Sequence, residues 1–351
     1  MPLLARTVAT PVAIEIRSGA IEALAPLLAD GRVSAGGTVA IAVGPGQGEV
    51  VGEAVRSSLP DAPLLHVEGA SMDAALKLIS ELRTSYYDAV VGIGGGKTLD
   101  VGKYAASMVG LPFVSVATNL SHDGIASPVS VLDSHGRKSS FGVHIPIAVF
   151  VDLEFVRNSP RRQTRSGIGD AVSNLSAVAD WQLAARERHE PIDGLAVTLA
   201  RSAAEAVVNR TEALDTDAFL TTLAEALFLS GMAMSVAGNS RPCSGGCHEL
   251  SHAIDGLYPD TALHGEQVAL GTLFASFLRD DPLLPTIDRC FRLHGLPRVP
   301  ADLGLTAEEF TKAVLTAPTT RPDRYTILEH LDLDAQQARK RVDAFVEAFD
   351  H

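Results

Sequence analysis

Short runs rich in Val, Ile and Ala alternate with longer amphipathic stretches over the first part of the chain. Residues 38–43, 64–67, 87–93, 112–116 and 147–151 read as strands. Residues 20–28, 49–58, 71–84 and 98–108 read as helices, the first interrupted by Pro26. Strands alternating with helices predict a parallel sheet with crossover helices, and strands apolar on both faces fit a sheet covered on both sides. The rhythm changes near Asn158-Ser-Pro160. Beyond it, apolar positions recur at three and four through 171–188, 192–208, 217–237 and 335–349, which predicts an all-α second domain. Two domains are expected, 1–158 and 159–351. No internal repeat or low-complexity linker separates them, so they are expected to pack closely, with a ligand in the cleft between.

Composition narrows the class. The 351 residues are 46% hydrophobic and 20% charged, enough for two cores and unlike a disordered, collagen-like or disulfide-built chain. A net charge of -13 and a pI of about 5.3 argue against a broad nucleic-acid-binding face. An anionic small substrate then needs a local field from a metal, a lysine or a helix N-terminus. Three cysteines, Cys243, Cys247 and Cys290, do not make a disulfide framework and read as reduced thiols. Neither a secretory signal nor an apolar run of membrane-spanning length is evident, so a cytoplasmic location is expected.

Candidate chemistry sits in three places. First, Ile93 ends a strand, Gly94, Gly95 and Gly96 follow, and a helix begins near Thr98. Glycines permit close backbone approach, and amides at a helix start favour an anion such as a pyrophosphate. The spacing is neither G-x-G-x-x-G nor a Walker loop. Second, Ala117 to Pro128 gathers Thr118, Ser121, His122, Asp123 and Ser127 just after a strand, either at the ligand-binding edge of the sheet or as a polar turn cornered by Asp123-Gly124. Third, His248 and His252 are spaced to share a helical face, His264 opens another apolar helix, and Asp170 follows a Gly-Ile-Gly sequence. Alone, Asp170 reads as a helix cap. Together, an Asp and two His with an open position suit catalytic zinc or ferrous iron, with Cys243 and Cys247 as alternative soft ligands. Asp180-Trp181 reads as core packing, and Arg161-Arg162 as a solvated linker.

The ordered blocks GGGKTLDVGK, SVATNLSHDGIASP, GIGDAVSN, SGGCHELSHAID and LHGEQVALGT resemble the superfamily of metal-dependent polyol and alcohol dehydrogenases that includes dehydroquinate synthase. Within it, SHDGIASP and SHAID…LHGEQ are most similar to the glycerol-1-phosphate dehydrogenase family. The resemblance implies a dehydroquinate synthase-like fold, with an α/β NAD(P)-binding domain and an all-α metal-binding domain. It implies Gly95, Gly96, Lys97 and Thr98 on the cofactor phosphates, and Thr118, Ser121 and Ser127 on the nicotinamide side of NAD or NADP. It implies Asp123 against substrate, Asp170, His248 and His264 on the metal, and His252 facing substrate with Asp170. Zn2+ is the expected metal, with Fe2+ and Ni2+ as alternatives.

Two departures from the family pattern stand out. Cys247 replaces the Glu that commonly precedes the first histidine. Val43-Gly44-Pro45-Gly46 lacks the Asp that would bind the adenosine ribose, which makes NADP as credible as NAD. The expected reaction is metal-dependent reduction of dihydroxyacetone phosphate to sn-glycerol 1-phosphate. Rival readings are a dehydrogenase of another polyol or cyclic ketone, a dehydroquinate synthase-like cyclase, and a non-catalytic nucleotide-binding protein. Lys97, Lys103 and a helix N-terminus are all candidates for the substrate phosphate. The expected partner is a small phosphorylated ketone or polyol, with no nucleic acid and no membrane span. A homo-oligomer is left open.

Overall fold

The computed structural model describes residues 8–31, 33–34, 38–134 and 136–350. The chain divides into two compact units. The first holds the described residues up to Asn119 with Gly124–Ser159 and Met234–Gly238; the second holds Leu120–Asp123, Pro160–Ala233 and the described residues from Asn239 onward.

The first unit runs β1 (Ala13–Arg17), α1 (Leu24–Leu28), β2 (Val39–Val43), α2 (Gln47–Ser58), β3 (Leu64–His66), α3 (Met72–Leu82), β4 (Ala89–Gly94), α4 (Gly96–Val109), β5 (Phe113–Ala117), β6 (Val129–Ser134), β7 (Arg137–Gly142), β8 (Ala148–Asp152) and α5 (Leu153–Arg157). Six strands form one parallel sheet in the order β1-β8-β5-β4-β2-β3, and β6 and β7 pair as an antiparallel hairpin. Every residue of β2, β4, β5 and β8 is buried, which is why these strands read as continuous apolar runs. Ile41, Val43, Val91, Ile93, Val114, Val116 and Phe150 share a core cluster with Leu24, Val51 and Val55 from the helices.

The five strands read from the sequence lie within two residues of observed strands. β1 and the hairpin were not legible. β1 is an edge strand of Ala-Ile-Glu-Ile-Arg, half of it solvated. The hairpin is rich in Ser, Asp and Lys, so its pattern resembles a loop. The proline-interrupted helix is a 3-10 turn (Ala20–Ala23) leading into α1, with Pro26 in the first turn where no helical N–H bond is lost.

In the second unit, described residues form helices and no strand: α6 (Arg161–Arg188), α7 (Gly194–Val208), α8 (Asp217–Ala237, whose end crosses into the first unit), α9 (Gly246–Leu257), α10 (His264–Leu278), α11 (Leu284–His294), α12 (Ala307–Thr320), α13 (Ile327–Leu331) and α14 (Ala335–Phe349). The α/β and all-α architecture expected from the sequence is thus the one found. α8 is long and apolar enough to pass for a membrane span, with hydropathy 1.5 over its most apolar window, but 61% of that window is buried within the protein, as in a core helix.

The sequence placed Asp170 at a helix start, and this is corrected: α6 begins at Arg161, and Asp170 lies more than two turns inside it. The preceding glycines do not mark a helix boundary. They let other backbones come close. A Cβ on Gly167 would lie 2.0 Å from Leu120 O, and one on Gly169 would lie 2.1 Å from Gly265 O. Arg161 and Arg162 are not a linker either. They form the first turn of α6, where Arg161 pairs with Asp215 and Arg162 makes two 2.7 Å bonds to Glu266. Trp181 is core, as expected, and donates its indole N–H to Pro191 O.

Candidate active site

In the first unit, the strand order turns back between β2 and β4, and the loops after both strands lie at the carboxyl edge of the sheet, where open α/β folds bind ligands. Gly44 N donates to Ile93 O at 3.0 Å and Thr118 N to Gly94 O at 3.0 Å, tying the loops after β2, β4 and β5 together. The glycines here serve close approach. A Cβ on Gly44 would lie 2.0 Å from Thr98 Oγ1, one on Gly94 2.7 Å from the same atom, and one on Gly95 2.4 Å from Asn119 Nδ2. Thr98, 4% exposed, therefore seals the turn with its side chain. Gly95 is the N-cap of α4, Gly96 is its first residue and Lys97 is exposed beside them. Thr118 is buried at the end of β5.

Ser127 lies in the same unit, buried, its hydroxyl donating to Val129 O at 3.2 Å. Its neighbour Lys103 is 0% exposed. Lys103 Nζ donates to Ser127 O at 3.2 Å and Val129 O at 2.6 Å, and sits 3.1 Å from Asp100 Oδ1. Asp100 Oδ2 in turn accepts Val131 N. Lys103 thus anchors the start of β6 to α4 and is withdrawn as a holder of substrate phosphate. Lys103→Met should cost roughly 3 kcal/mol, because Asp100 is left buried without its cation. A chemical-denaturation midpoint equal to wild type would refute that role.

In the second unit, Asp170 on α6, His248 in the first turn of α9 and His264 at the first position of α10 come together, their nearest donor atoms all within 4.8 Å of one another. Asp170 is 5% exposed. Its Oδ2 accepts Asp123 N at 2.8 Å, which leaves Oδ1 facing His248 Nε2 and His264 Nε2, each at 3.8 Å. Ser121 joins the same assembly through its carbonyl, which accepts Ser166 Oγ at 2.9 Å.

The histidines are held by a further layer that the sequence reading missed. Ser251 Oγ donates to Gln267 Oε1 at 2.7 Å and lies 3.2 Å from His264 Nδ1. With its one proton committed to Gln267, Ser251 accepts from Nδ1–H, which turns Nε2 of His264 toward the cluster. Gln267 is fixed by donating to Asp255 Oδ1 at 3.0 Å. The signal was in the spacing: Ser251 and Asp255 share a face of α9, and Gln267 lies one turn beyond His264. On the other side, Cys247 Sγ is 3.4 Å from His248 Nδ1, behind the ring, and Cys243 Sγ donates to Ser230 O. Neither cysteine belongs to the triad, and all three cysteines are free. Asp180, read only as core, caps α9 by accepting Gly246 N at 2.8 Å, and also accepts Ile327 N and pairs with Arg279.

His252 is not in the triad. It follows His248 by one turn on α9, and its Nε2 is 3.0 Å from Arg321 Nη2.

The electrostatics favour a cation. Burial works to raise the Asp170 pKa, but contact with His248 and the charges of His264, His248 and His122 prevail and hold it below the ordinary carboxylate value. Burial works against charge on His248, yet Cys247 and Asp170 outweigh it and push the pKa up to about 9. A divalent ion can supply that positive charge in place of protons. Metal bonds of about 2.1 Å in a tetrahedron set donor–donor edges of about 3.4 Å, close to the observed 3.8 Å. Two imidazoles and one carboxylate leave an open position for a substrate oxygen. The residues fit a catalytic divalent metal.

A glycine-rich turn at the carboxyl edge of a parallel sheet, in a chain whose helical unit gathers two histidines and an aspartate, is an arrangement suited to a metal-dependent dehydrogenase. Residues 15–160 match the family model described as iron-containing alcohol dehydrogenase. Among solved structures, a probable glycerol dehydrogenase from Sinorhizobium meliloti aligns with a TM-score of 0.80 over 99% of both chains at 22% identity. Maleylacetate reductase from Agrobacterium tumefaciens aligns with a TM-score of 0.76 over 99% of both chains at 17% identity. At those identities the likeness is one of fold. Among curated sequences, NAD(P)+ glycerol-1-phosphate dehydrogenase from Sulfurisphaera tokodaii is 37% identical, over 87% of this chain and 88% of that protein. The enzyme of the same name from Hyperthermus butylicus is 36% identical, over 94% and 95%. The chain belongs to the glycerol-1-phosphate dehydrogenase family.

Proposed function

We propose that the protein reduces dihydroxyacetone phosphate to sn-glycerol 1-phosphate with NADH or NADPH, in the cytoplasm. The observation that carries this reading is the buried Asp170, His248 and His264 cluster in a chain 36% identical, over 94% of its length, to a glycerol-1-phosphate dehydrogenase. When bound, a divalent metal (Zn2+, with Fe2+ or Ni2+ as alternatives) supplies Lewis-acid polarisation of the ketone, and the nicotinamide supplies hydride.

The chain's own residues do the rest. Asp170 through Oδ1, and His248 and His264 through Nε2, hold the metal, while Asp123 N–H fixes the carboxylate. The Asp123 carboxylate orients the substrate hydroxyl. His252 accepts from Arg321 at Nε2, so its Nδ1–H is a hydrogen-bond donor that orients the substrate oxygen. The amide groups of Gly95 and Gly96 at the head of α4, with the Lys97 ammonium, take the cofactor pyrophosphate. Thr98 shapes that turn, Thr118 and Ser121 contact the nicotinamide side, and Ser127 supports the loop between them through Lys103. Gly44-Pro45-Gly46 offers no carboxylate to repel a 2′-phosphate, so NADPH is accepted alongside NADH.

The test is oxidation of NADH and of NADPH by zinc-loaded protein, with dihydroxyacetone phosphate beside dihydroxyacetone. Turnover strongly favouring the phosphate ester, lost on chelation and restored by zinc, is expected. Absence of turnover on the ester with either nucleotide refutes the reading.

A further inference from the structure

The three side chains of the metal cluster are not held alike. Asp170 is fixed by the Asp123 amide and His264 by the Ser251 hydroxyl. His248 meets a sulfur instead. Its Nδ1 lies 3.4 Å from Cys247 Sγ, and among the described residues no other acceptor reaches that nitrogen. Its Nε2 faces Asp170 Oδ1. A ring that gives Nε2 to a metal carries its proton on Nδ1, so Nδ1–H donates and Cys247 Sγ accepts.

The contact is sheltered and rigid. Cys247 is buried, so water does not compete for Nδ1. The residue before it, Gly246, donates its N–H to Asp180 Oδ2 of α6 at 2.8 Å. On another side α10 closes in: a Cβ on Gly271 would lie 2.7 Å from Cys247 O and 2.9 Å from Cys247 Cα. The backbone that carries the sulfur is thus pinned by two helices. The ring itself has two orientations to choose between. A half-turn would set Cδ2 against the sulfur and Cε1 where Nε2 stands, and a carbon binds no metal. The edge-on packing of His248 against His264, with centroids 5.2 Å apart, is satisfied by both. Only the acceptor at Nδ1 tells them apart on that side of the ring.

We infer that Cys247 is a positioning residue of the metal site: its sulfur accepts Nδ1–H of His248 and fixes the ring with Nε2 toward the ion. The inference rests on the metal role proposed for Asp170, His248 and His264, and adds a residue outside that triad. It also gives a reason for cysteine at the position where the family commonly has Glu. A thiol is a small, nearly apolar group, so it supplies an acceptor inside a sealed core without the desolvation cost of a carboxylate.

The experiment compares wild type, Cys247→Ser, Cys247→Ala and Cys290→Ala, each as the full chain stripped of metal and reloaded. Cys290 is a buried cysteine on α11, outside the cluster, and controls for the loss of a core thiol. Zinc affinity is read by competition with a chromogenic chelator, and the ligand field by the visible spectrum of the cobalt-substituted protein. Cys247→Ala should weaken zinc binding about 10- to 100-fold and shift the cobalt bands. Cys247→Ser keeps an acceptor on a shorter bond and should fall between alanine and wild type, and it carries the test if the alanine variant does not fold. Cys290→Ala should match wild type in both readouts. Unchanged zinc affinity and cobalt spectrum in the Cys247 variants overturns the inference, as does an equal loss in Cys290→Ala. Wild type that binds zinc but does not reduce dihydroxyacetone phosphate refutes the proposed activity and leaves this inference standing on the binding data. Wild type that takes up no metal overturns both.

Discussion

Asp170→Asn is expected to abolish zinc retention and to lower kcat/KM for dihydroxyacetone phosphate by at least about 1000-fold, the scale of several kcal/mol of Lewis-acid stabilisation. The carboxylate does two jobs with two oxygens: Oδ2 accepts the Asp123 amide and Oδ1 faces both histidines. An asparagine can do one of them. If its oxygen keeps the Asp123 contact, its NH2 group is presented to the metal position. If it turns round, two N–H donors collide at Asp123. The net negative charge that makes the pocket attractive to a cation is lost either way. Metal analysis of purified protein, with a thermal melt to verify folding, checks this. Stoichiometric zinc with wild-type turnover in the variant would show that Asp170 is not a ligand.

Gly265→Ala should destabilise the protein by on the order of 4 kcal/mol, above the range usual for overpacking. The methyl carbon would lie 1.9 Å from Ser166 O and 2.6 Å from Ser166 C, both backbone atoms of α6 that no rotamer change can move. A Cβ on Gly169 of the other helix would likewise lie 2.1 Å from Gly265 O, so the two helices touch backbone to backbone. The contact is reinforced by Gly265 N donating to Ser166 Oγ and by the Arg162–Glu266 pair. Forcing these helices apart also separates His264 from Asp170, so weaker zinc binding should accompany the lower melting temperature. A variant that melts with wild type would mean that the crossing is looser than described.

Much of the fold was legible because its causes are local. Short continuous runs of Val, Ile and Ala marked the central strands, and the three-and-four pattern marked the helices of the second unit. What escaped depended on distant partners. β1 and the β6–β7 hairpin are solvated on one side and too polar to stand out from loops. Lys103 reads from sequence as a cation ready for phosphate, and only the fold shows it sealed against Asp100 and Val129. Asp170 after Gly-Ile-Gly mimics a helix start, because glycines that admit a neighbouring backbone look the same as glycines that end a helix. Between His248 and His252, spacing alone is indifferent. The choice is made by which ring meets Asp170 and which meets Arg321. The supports of the histidines, Ser251, Gln267, Asp255 and Asp180, are ordinary core-facing residues until their hydrogen bonds are seen.

The triad also has a thermodynamic side. Asp170, His248 and His264 come from three helices, the first well before the other two in sequence, and each side chain is held by its own support. An unfolded chain holds no such set, so any ion held by the folded one adds its binding free energy to the native state. A metal held there to activate the ketone would therefore also clasp the helical unit. Metal supply would then set how long the enzyme survives as well as how fast it works.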